Sequence, residues 1–483
     1  MNKIFQKLTL LLSVSALMIS CDMEQFPHDR IATSAAWEKI TDAERFRNGI
    51  YDMFRGYNGG GYTYSADYQS DLFNATISFG NRGGDMYRWD FTSSQENIEN
   101  IWAGNYDVIN NCNNIINNID KIAIADDAEK ATQSMIKGEA YLMRAICYHT
   151  LVLRFAKDYE PGTTELGLPI MLNVDVEAKP ERSSLEKTYE QIKNDIQEAR
   201  TYLTTEGAAN SEYFTTDVID AFEARVNLYM HKYSEAVSLA NPIIAKYPLI
   251  DSTDAFEGFW LNDEGSELIY RTSSSVDERS NSYGVYIAYT TASSSYQPDF
   301  IPSQWVLDLY EDSDIRKSVY FFNAGGTFND LKEDVTMLKK YPGNPALKTA
   351  DHQYYQKHKI FRSAEAYLIA AEASYQDGKE DDARNYLNSL RTTRGASEIT
   401  ASGDALWGEI KNEWIREYVG EGQRLNDLKR WHDGFQRRDP QSQNIILVSD
   451  KTTDLKIDGS DIRFIWEIPV NDLKANTNIV PNW

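Results

Sequence analysis

The residues best equipped for chemistry in this sequence are aromatic rings interleaved with amides and an arginine. Asn81, Arg82, Tyr87 and Trp89 fall in one short run, and Tyr283, Tyr286 and Tyr296 recur in a second that also holds Asn281 and Gln297. A sugar ring offers flat C–H faces and a fringe of hydroxyls. Aromatic rings cover such faces at small entropic cost, and Asn, Gln or Arg side chains orient the hydroxyls. The pattern therefore predicts a ligand surface built from Trp89, Tyr87, Tyr283, Tyr286 and Tyr296, with Asn81 and Arg82 as polar partners. Any one of these rings could equally pack a loop that lacks a regular core, so the expectation attaches to the two clusters.

Catalytic and metal chemistry find no comparable footing. His28, His149, His231, His352, His358 and His432 are scattered and form no HExxH or paired-ligand spacing. Glu311-Asp312-Ser313-Asp314 lacks the glycine and the closing glutamate of a calcium loop and reads as a solvated acidic turn. A glycosidase would need two carboxylates facing across a cleft. Acidic residues are plentiful, but no motif pairs them, so the reading is of a non-enzyme without cofactor or metal.

The elements that must position the aromatic loops are helical. From Asn97 to Ala156 the apolar residues Ile98, Ile101, Trp102, Ile109, Ile116 and Ile119 recur at helical spacing, and a second amphipathic run begins at Ala128. This predicts a long antiparallel hairpin. Leu185 to Leu203 and Thr215 to His231 continue the pattern. Small and large residues alternate at Ala221, Ala224, Leu228, Tyr229, Tyr233, Ala236 and Ala240, and again at Ala366, Ala370, Ala373, Gly378, Ala383 and Leu387. That cadence is tetratricopeptide-like, because small residues let paired helices approach while large ones fill the gaps. The expected fold is mainly α, with tetratricopeptide-like helices at about 97–250 and 360–432 and loop-rich, ligand-facing segments at about 56–91 and 257–345. Cys112 and Cys147 sit on the two arms of the hairpin. A turn centred near Ala125 would offset them by roughly 13 Å along the axis at 1.5 Å per residue, too far for a disulfide.

The N-terminus reads as an address. Lys3 and Lys7 precede an apolar stretch from Leu8 to Ile19, too short to span a bilayer and suited to a signal peptide over 1–20. Leu17-Met18-Ile19-Ser20-Cys21 is a loose match to a bacterial lipobox, which makes Cys21 the expected lipidation site and new N-terminus of a body spanning 21–483. Several acyl chains on one residue give lasting anchorage to a membrane. The formal net charge of -24 excludes nucleic acid as a partner, since nucleic acid requires a basic footprint.

Specific motifs add a resemblance. Lys137-Gly138-Glu139-Ala140-Tyr141-Leu142-Met143-Arg144-Ala145, followed by Tyr148, Leu151, Phe155 and Gly167-Leu168-Pro169, is similar to a hallmark of the SusD/RagB family of Bacteroidetes outer-membrane lipoproteins. So are Arg362-Ser363-Ala364-Glu365-Ala366-Tyr367-Leu368, Glu421-Gly422-Gln423-Arg424 with Asp427-Leu428-Lys429-Arg430-Trp431, and the closing Trp466-Glu467-Ile468-Pro469. Trp414 stands where the family usually has arginine, and Thr477 where it usually has proline. The resemblance implies a surface-exposed binding protein that sits as a lid on a TonB-dependent (SusC-like) transporter in the outer membrane. Its ligand would be nutrient, most often an oligosaccharide such as starch or another glycan, or a peptide in the RagB branch. The helical half would face the barrel and the irregular half the ligand. The recurrent charged residues Glu139, Arg144, Glu365, Glu372, Arg394, Arg424, Asp427 and Arg430 read as ion pairs and caps.

Overall fold

The computed structural model describes residues 36–483 except 82, 176, 281, 291–293, 439 and 449–453. The leader at 1–20, Cys21 and Arg82 lie outside the described residues. The chain is mainly α. Ten helices form its scaffold: α1 (Ile40–Tyr57), α2 (Glu96–Asn118), α3 (Asp127–Phe155), α4 (Leu185–Tyr202), α5 (Thr216–Tyr229), α6 (Tyr233–Lys246), α7 (Ser363–Gln376), α8 (Glu380–Thr393), α9 (Gly403–Tyr418) and α10 (Arg424–Arg430).

The expected long hairpin is α2 and α3. Asp126 caps α3 by accepting the Glu129 N–H at 2.9 Å, and the Glu129 carboxylate takes the Ala125 N–H at 2.8 Å, so the turn satisfies its own orphan donors. α3 packs against α1, α2, α4 and α5 and is buried on nearly every side from Ile136 onward. Each fully buried Ile, Leu or Met there contributes about 1.5–3 kcal/mol. Gly138 is required by proximity: a Cβ at this position would stand 2.7 Å from the backbone nitrogen of Leu203 at the end of α4.

The hairpin register differs from the sequence estimate. Lys137 pairs with Asp120, and Arg144 donates to Asn113 Oδ1 at 2.7 Å. The connection between the arms, residues 122–126, nevertheless falls where the sequence places it. Cys112 and Cys147 are both free and buried, and burial raises both thiols.

The tetratricopeptide-like cadence becomes a second core in which α7 packs against α5, α6, α8 and α9. Ala364, Ala371, Ala373 and Ala383 are fully buried there among Leu368, Leu387, Leu390 and Trp414. Between the two helical blocks run short strands. β1 (Phe73–Ala75) pairs antiparallel with β5 (Phe300–Pro302), and β2 (Leu268–Arg271) with β8 (Lys359–Arg362). A four-stranded sheet follows the order β3 (Tyr289–Thr290), β4 (Ser295–Tyr296), β6 (Phe321–Phe328), β7 (Leu331–Leu338). β6 and β7 form a regular hairpin from Phe321↔Leu338 to Phe328↔Leu331 around the turn Asn329-Asp330. Asn329 takes φ 53°, which asparagine tolerates in a two-residue hairpin turn.

The charged family motifs act as ties. Arg47 pairs with Glu139, Arg144 with Asp195 at 2.5 Å, Arg225 with Glu365 at 2.5 Å, Arg430 with Glu372 at 2.8 Å and with Asp427 at 3.0 Å, and Arg424 with Asp71 at 2.9 Å. At the centre, Arg316, Arg362 and Arg394 converge on Glu417, and Arg316, Arg391 and Arg416 on Glu413. Burial alone would raise the Glu413 carboxyl, but the three guanidinium groups outweigh it and hold it down to about 2. Asp314, expected in a solvated acidic turn, is instead buried, capping the helix Ile315–Tyr320 and pairing with Arg316 at 2.8 Å.

Candidate functional site

Four of the rings expected to meet ligand are core residues. Trp89 is 1% exposed: its indole N–H donates to the Gln69 carbonyl at 2.6 Å, and its ring packs edge-on to Phe464 at 5.0 Å. Tyr87 is fully buried, with its hydroxyl accepting the Ala75 N–H at 3.1 Å and the Arg437 guanidinium 3.5 Å over its ring. Tyr283 stacks on Tyr341 at 3.9 Å and pairs through its hydroxyl with His358 Nδ1 at 2.8 Å. Burial, with Lys359 and Arg55 nearby, holds the His358 imidazole down to about 3, so it is neutral at pH 7. Tyr286 donates to Asp67 at 3.1 Å. Burial pushes Asp67 up to about 8 against the pull of that hydrogen bond. Trp89, Tyr87, Tyr283 and Tyr286 turn inward for one physical reason: the helices and strands of the irregular half are mostly short, and these rings fill the interior between them.

Asn81 and Tyr296 have a different setting. Asn81 is exposed and accepts from the Arg88 guanidinium at 2.9 Å. Tyr296 is half-buried on β4 and meets Tyr289 edge-on at 5.1 Å on one side and Phe322 edge-on at 5.1 Å on the other. Tyr289 is 44% exposed. The pairing explains the row: Tyr289 and Tyr296 are directly opposed across β3 and β4, Tyr296 is opposed to Gly326, and Phe322 lies an even number of residues from Gly326 on the same face of β6. A Cβ at Gly326 would stand 2.5 Å from the Phe328 ring, so the glycine makes room for that side chain. Tyr354 completes the shelf, its hydroxyl accepting the Tyr289 N–H at 2.9 Å. Ser295 donates to Thr327 at 2.7 Å beside these rings. The first loop reaches the same place, since Asn329 N–H donates to Ser78 Oγ at 3.2 Å, three residues before Asn81.

The structure thus joins the two sequence clusters at the β6–β7 hairpin, but through Tyr289, Tyr296, Phe322 and Tyr354. Phe322 was missed because it lies outside the aromatic runs. The alternation along 321–338, interrupted by Asn329-Asp330, carried the signal for a hairpin with one aromatic face.

A hollow of about 960 Å³ lies on another wall and is lined by Trp305, Lys411, Arg424, Phe435 and Arg438 among others. Its charges are largely spent internally. Arg424 is bidentate to Asp71 at 2.9 and 3.0 Å, and Lys411 pairs with Asp433 at 2.9 Å. Arg438 lies 4.2 Å over the Trp305 ring. Phe435 on this wall contacts Trp89 behind it, so Trp89 backs the hollow without lining it. Size alone makes this a ligand-sized space, but of its two aromatic residues Phe435 is buried and Trp305 already carries Arg438, where the shelf offers a row. No group of His, Cys, Asp and Glu among the described residues could hold a metal ion, and no described helix is long and apolar enough to cross a membrane.

Comparison with known proteins gives this geometry its relatives. A profile described as the SusD family matches residues 252–483, and one described as "Starch-binding associating with outer membrane" matches residues 23–228. The chain is similar to SusD-like protein P38 of Formosa agariphila, 23% identical over 478 residues that cover 88% of this chain and 90% of that one. A solved SusD superfamily protein from Bacteroides thetaiotaomicron superposes with a TM-score of 0.78 at 26% identity, covering 92% of this chain and all of the other. A solved protein described as a putative sugar binding protein, from Bacteroides vulgatus, does so with a TM-score of 0.76 at 24% identity, covering 92% and 99%.

Proposed function

The chain belongs to the SusD family, and from that premise we propose that it is a surface-facing outer-membrane lipoprotein that captures oligosaccharide and passes it to a TonB-dependent, SusC-like transporter. Cys21 carries the lipid in this reading. The tetratricopeptide-like helices face the transporter, and the loop-rich segments face the ligand. The role is capture without bond cleavage. A sugar-binding description attaches to similar proteins, and the observation that carries the assignment here is the half-exposed row Tyr289, Tyr296 and Phe322 with Tyr354 beside it. Rings held edge-on present separate faces along one line, which suits successive sugar rings of a chain better than a single small solute.

Isothermal titration of the soluble body, residues 22–483, against hexasaccharides of different linkage and against unrelated peptides tests the reading. Saccharide binding that falls at least tenfold in Tyr296→Ala, with the melting temperature unchanged, is the expected outcome. Heat evolved only with peptides would overturn the sugar assignment. In cells, Cys21→Ala should move the protein from the membrane to the soluble fraction, while deletion of the transporter should leave it on the surface and stop uptake.

A further inference from the structure

Two helices of the scaffold end in an unusual way. α5 and α10 both close with a left-handed residue, and the backbone bonds around each are those of a Schellman turn: Lys232 N–H to Asn227 carbonyl at 2.8 Å, and Asp433 N–H to Leu428 carbonyl at 2.9 Å. Glycine is favoured at that position, and α7 and α8 use it, with Gly378 at φ 74° and Gly395 at φ 79°. α5 and α10 use histidine instead, His231 at φ 57° and His432 at φ 52°. A side chain in this conformation costs stability that glycine does not, so each imidazole must return something.

Both imidazoles reach one recess of about 250 Å³. His231 Nδ1 is 3.7 Å from Glu160 Oε2, and His432 Nε2 is 3.8 Å from Glu160 Oε1. Three half-buried rings from separate segments wall the same space: Tyr233, Trp407 and Trp431. They are fixed in place. Trp431 donates its indole N–H to Glu372 at 3.0 Å, Trp407 stacks on Tyr375 at 5.2 Å and meets Trp431 edge-on at 5.7 Å, and Tyr233 stacks on His231 at 5.7 Å. None of these residues belongs to the shelf.

We propose that this recess is a second saccharide site, on the helical half, that seats one sugar ring of the oligosaccharide. The inference rests on the reading of the ligand as a saccharide. Charge selects against other small ligands. Lys411 Nζ stands 5.6 and 5.9 Å from the Trp407 and Trp431 ring centres and the Arg430 guanidinium 5.2 Å from Trp431, which disfavours a cation in the aromatic corner. Glu160, with Asp158 3.7 Å from His432 Nδ1, disfavours an anion. A neutral ring with C–H faces for the indoles and hydroxyls for Glu160 and the imidazoles satisfies both sides.

Glycine at both helix ends separates binding from stability. Maltohexaose, cellohexaose, mannohexaose and xylohexaose at millimolar concentration serve as probes, read by tryptophan fluorescence and calorimetry. The proteins are wild type, Tyr296→Ala, and Tyr296→Ala combined either with His231→Gly and His432→Gly or with Trp407→Leu. Tyr296→Ala should retain a weaker binding event that changes tryptophan fluorescence. Either added set should weaken that event at least tenfold, and the double glycine change should melt no lower than its parent. A structural role for the histidines predicts the reverse, a lower melting temperature with residual binding intact, and overturns the proposal. Complete loss of binding in Tyr296→Ala alone overturns the second site and leaves the shelf standing. Absence of saccharide binding in wild type overturns both.

Discussion

Trp89 and Tyr296 are both aromatic residues of the loop-rich half, and their roles separate on burial. Removing a fully buried indole leaves a cavity and an orphaned Gln69 carbonyl, so Trp89→Ala should cost about 3–5 kcal/mol in denaturant unfolding. Binding per folded molecule should change little. Tyr296→Ala should do the opposite. His149 gives a second residue-level expectation. Burial, reinforced by Arg225 and Lys429, holds its imidazole down to about 3. The folded chain therefore keeps it neutral, while the unfolded chain protonates it near pH 6.5. Stability that depends on the neutral form is present above pH 6.5 and is lost as pH falls toward 3, at up to about 1.4 kcal/mol per unit. His149 packs edge-on to Phe222 at 5.6 Å and Tyr229 at 5.3 Å. His149→Phe should keep that packing and flatten the acid limb of a stability-versus-pH curve; an unchanged limb would refute the assignment.

At the scale of elements, the α3–α4 contact depends on the missing side chain of Gly138. Gly138→Val places atoms against the Leu203 backbone, which cannot yield as a side-chain tip would. Loss of several kcal/mol, measured as a lower denaturation midpoint, is expected, with Gly138→Ala intermediate. The helices themselves were legible in sequence because one-sided burial writes a 3.6-residue period into the chain, as Ile98, Ile101 and Trp102 do on α2. The motif charges were legible as ties for a related reason: Glu139, Glu365 and Glu372 sit in otherwise apolar runs, where an unpaired carboxylate would be prohibitive. The aromatic loops were not legible in the same way. Tyr283, Tyr286 and Tyr296 follow no period, so spacing says nothing about which ring turns inward, and partners such as Tyr341 and Phe322 come from distant sequence. The cluster was readable; the membership of its exposed face was not.

The whole molecule is held at its centre by charge. Glu417 receives Arg316, Arg362 and Arg394, which arrive from the helix Ile315–Tyr320, from β8 and from the end of α8, so one carboxylate ties the irregular half to the tetratricopeptide-like half. Glu417→Gln removes the charge these three guanidinium groups share and leaves Arg316 to Asp314 and Glu413, Arg362 to Glu421 and Arg394 to Glu267 in a buried site. Destabilisation of about 3–5 kcal/mol is expected by denaturant unfolding, and both halves should unfold together. Cys112 and Cys147 turn this cohesion into something that can be timed. In a body lacking Cys21 they are the remaining thiols, both sealed in the α2–α3 hairpin, so a dissolved thiol reagent can modify them only when that hairpin opens. The labelling rate under native conditions becomes a clock for breathing of the core, and its slowing on addition of ligand would measure how far occupancy at the distant shelf is felt in the helices.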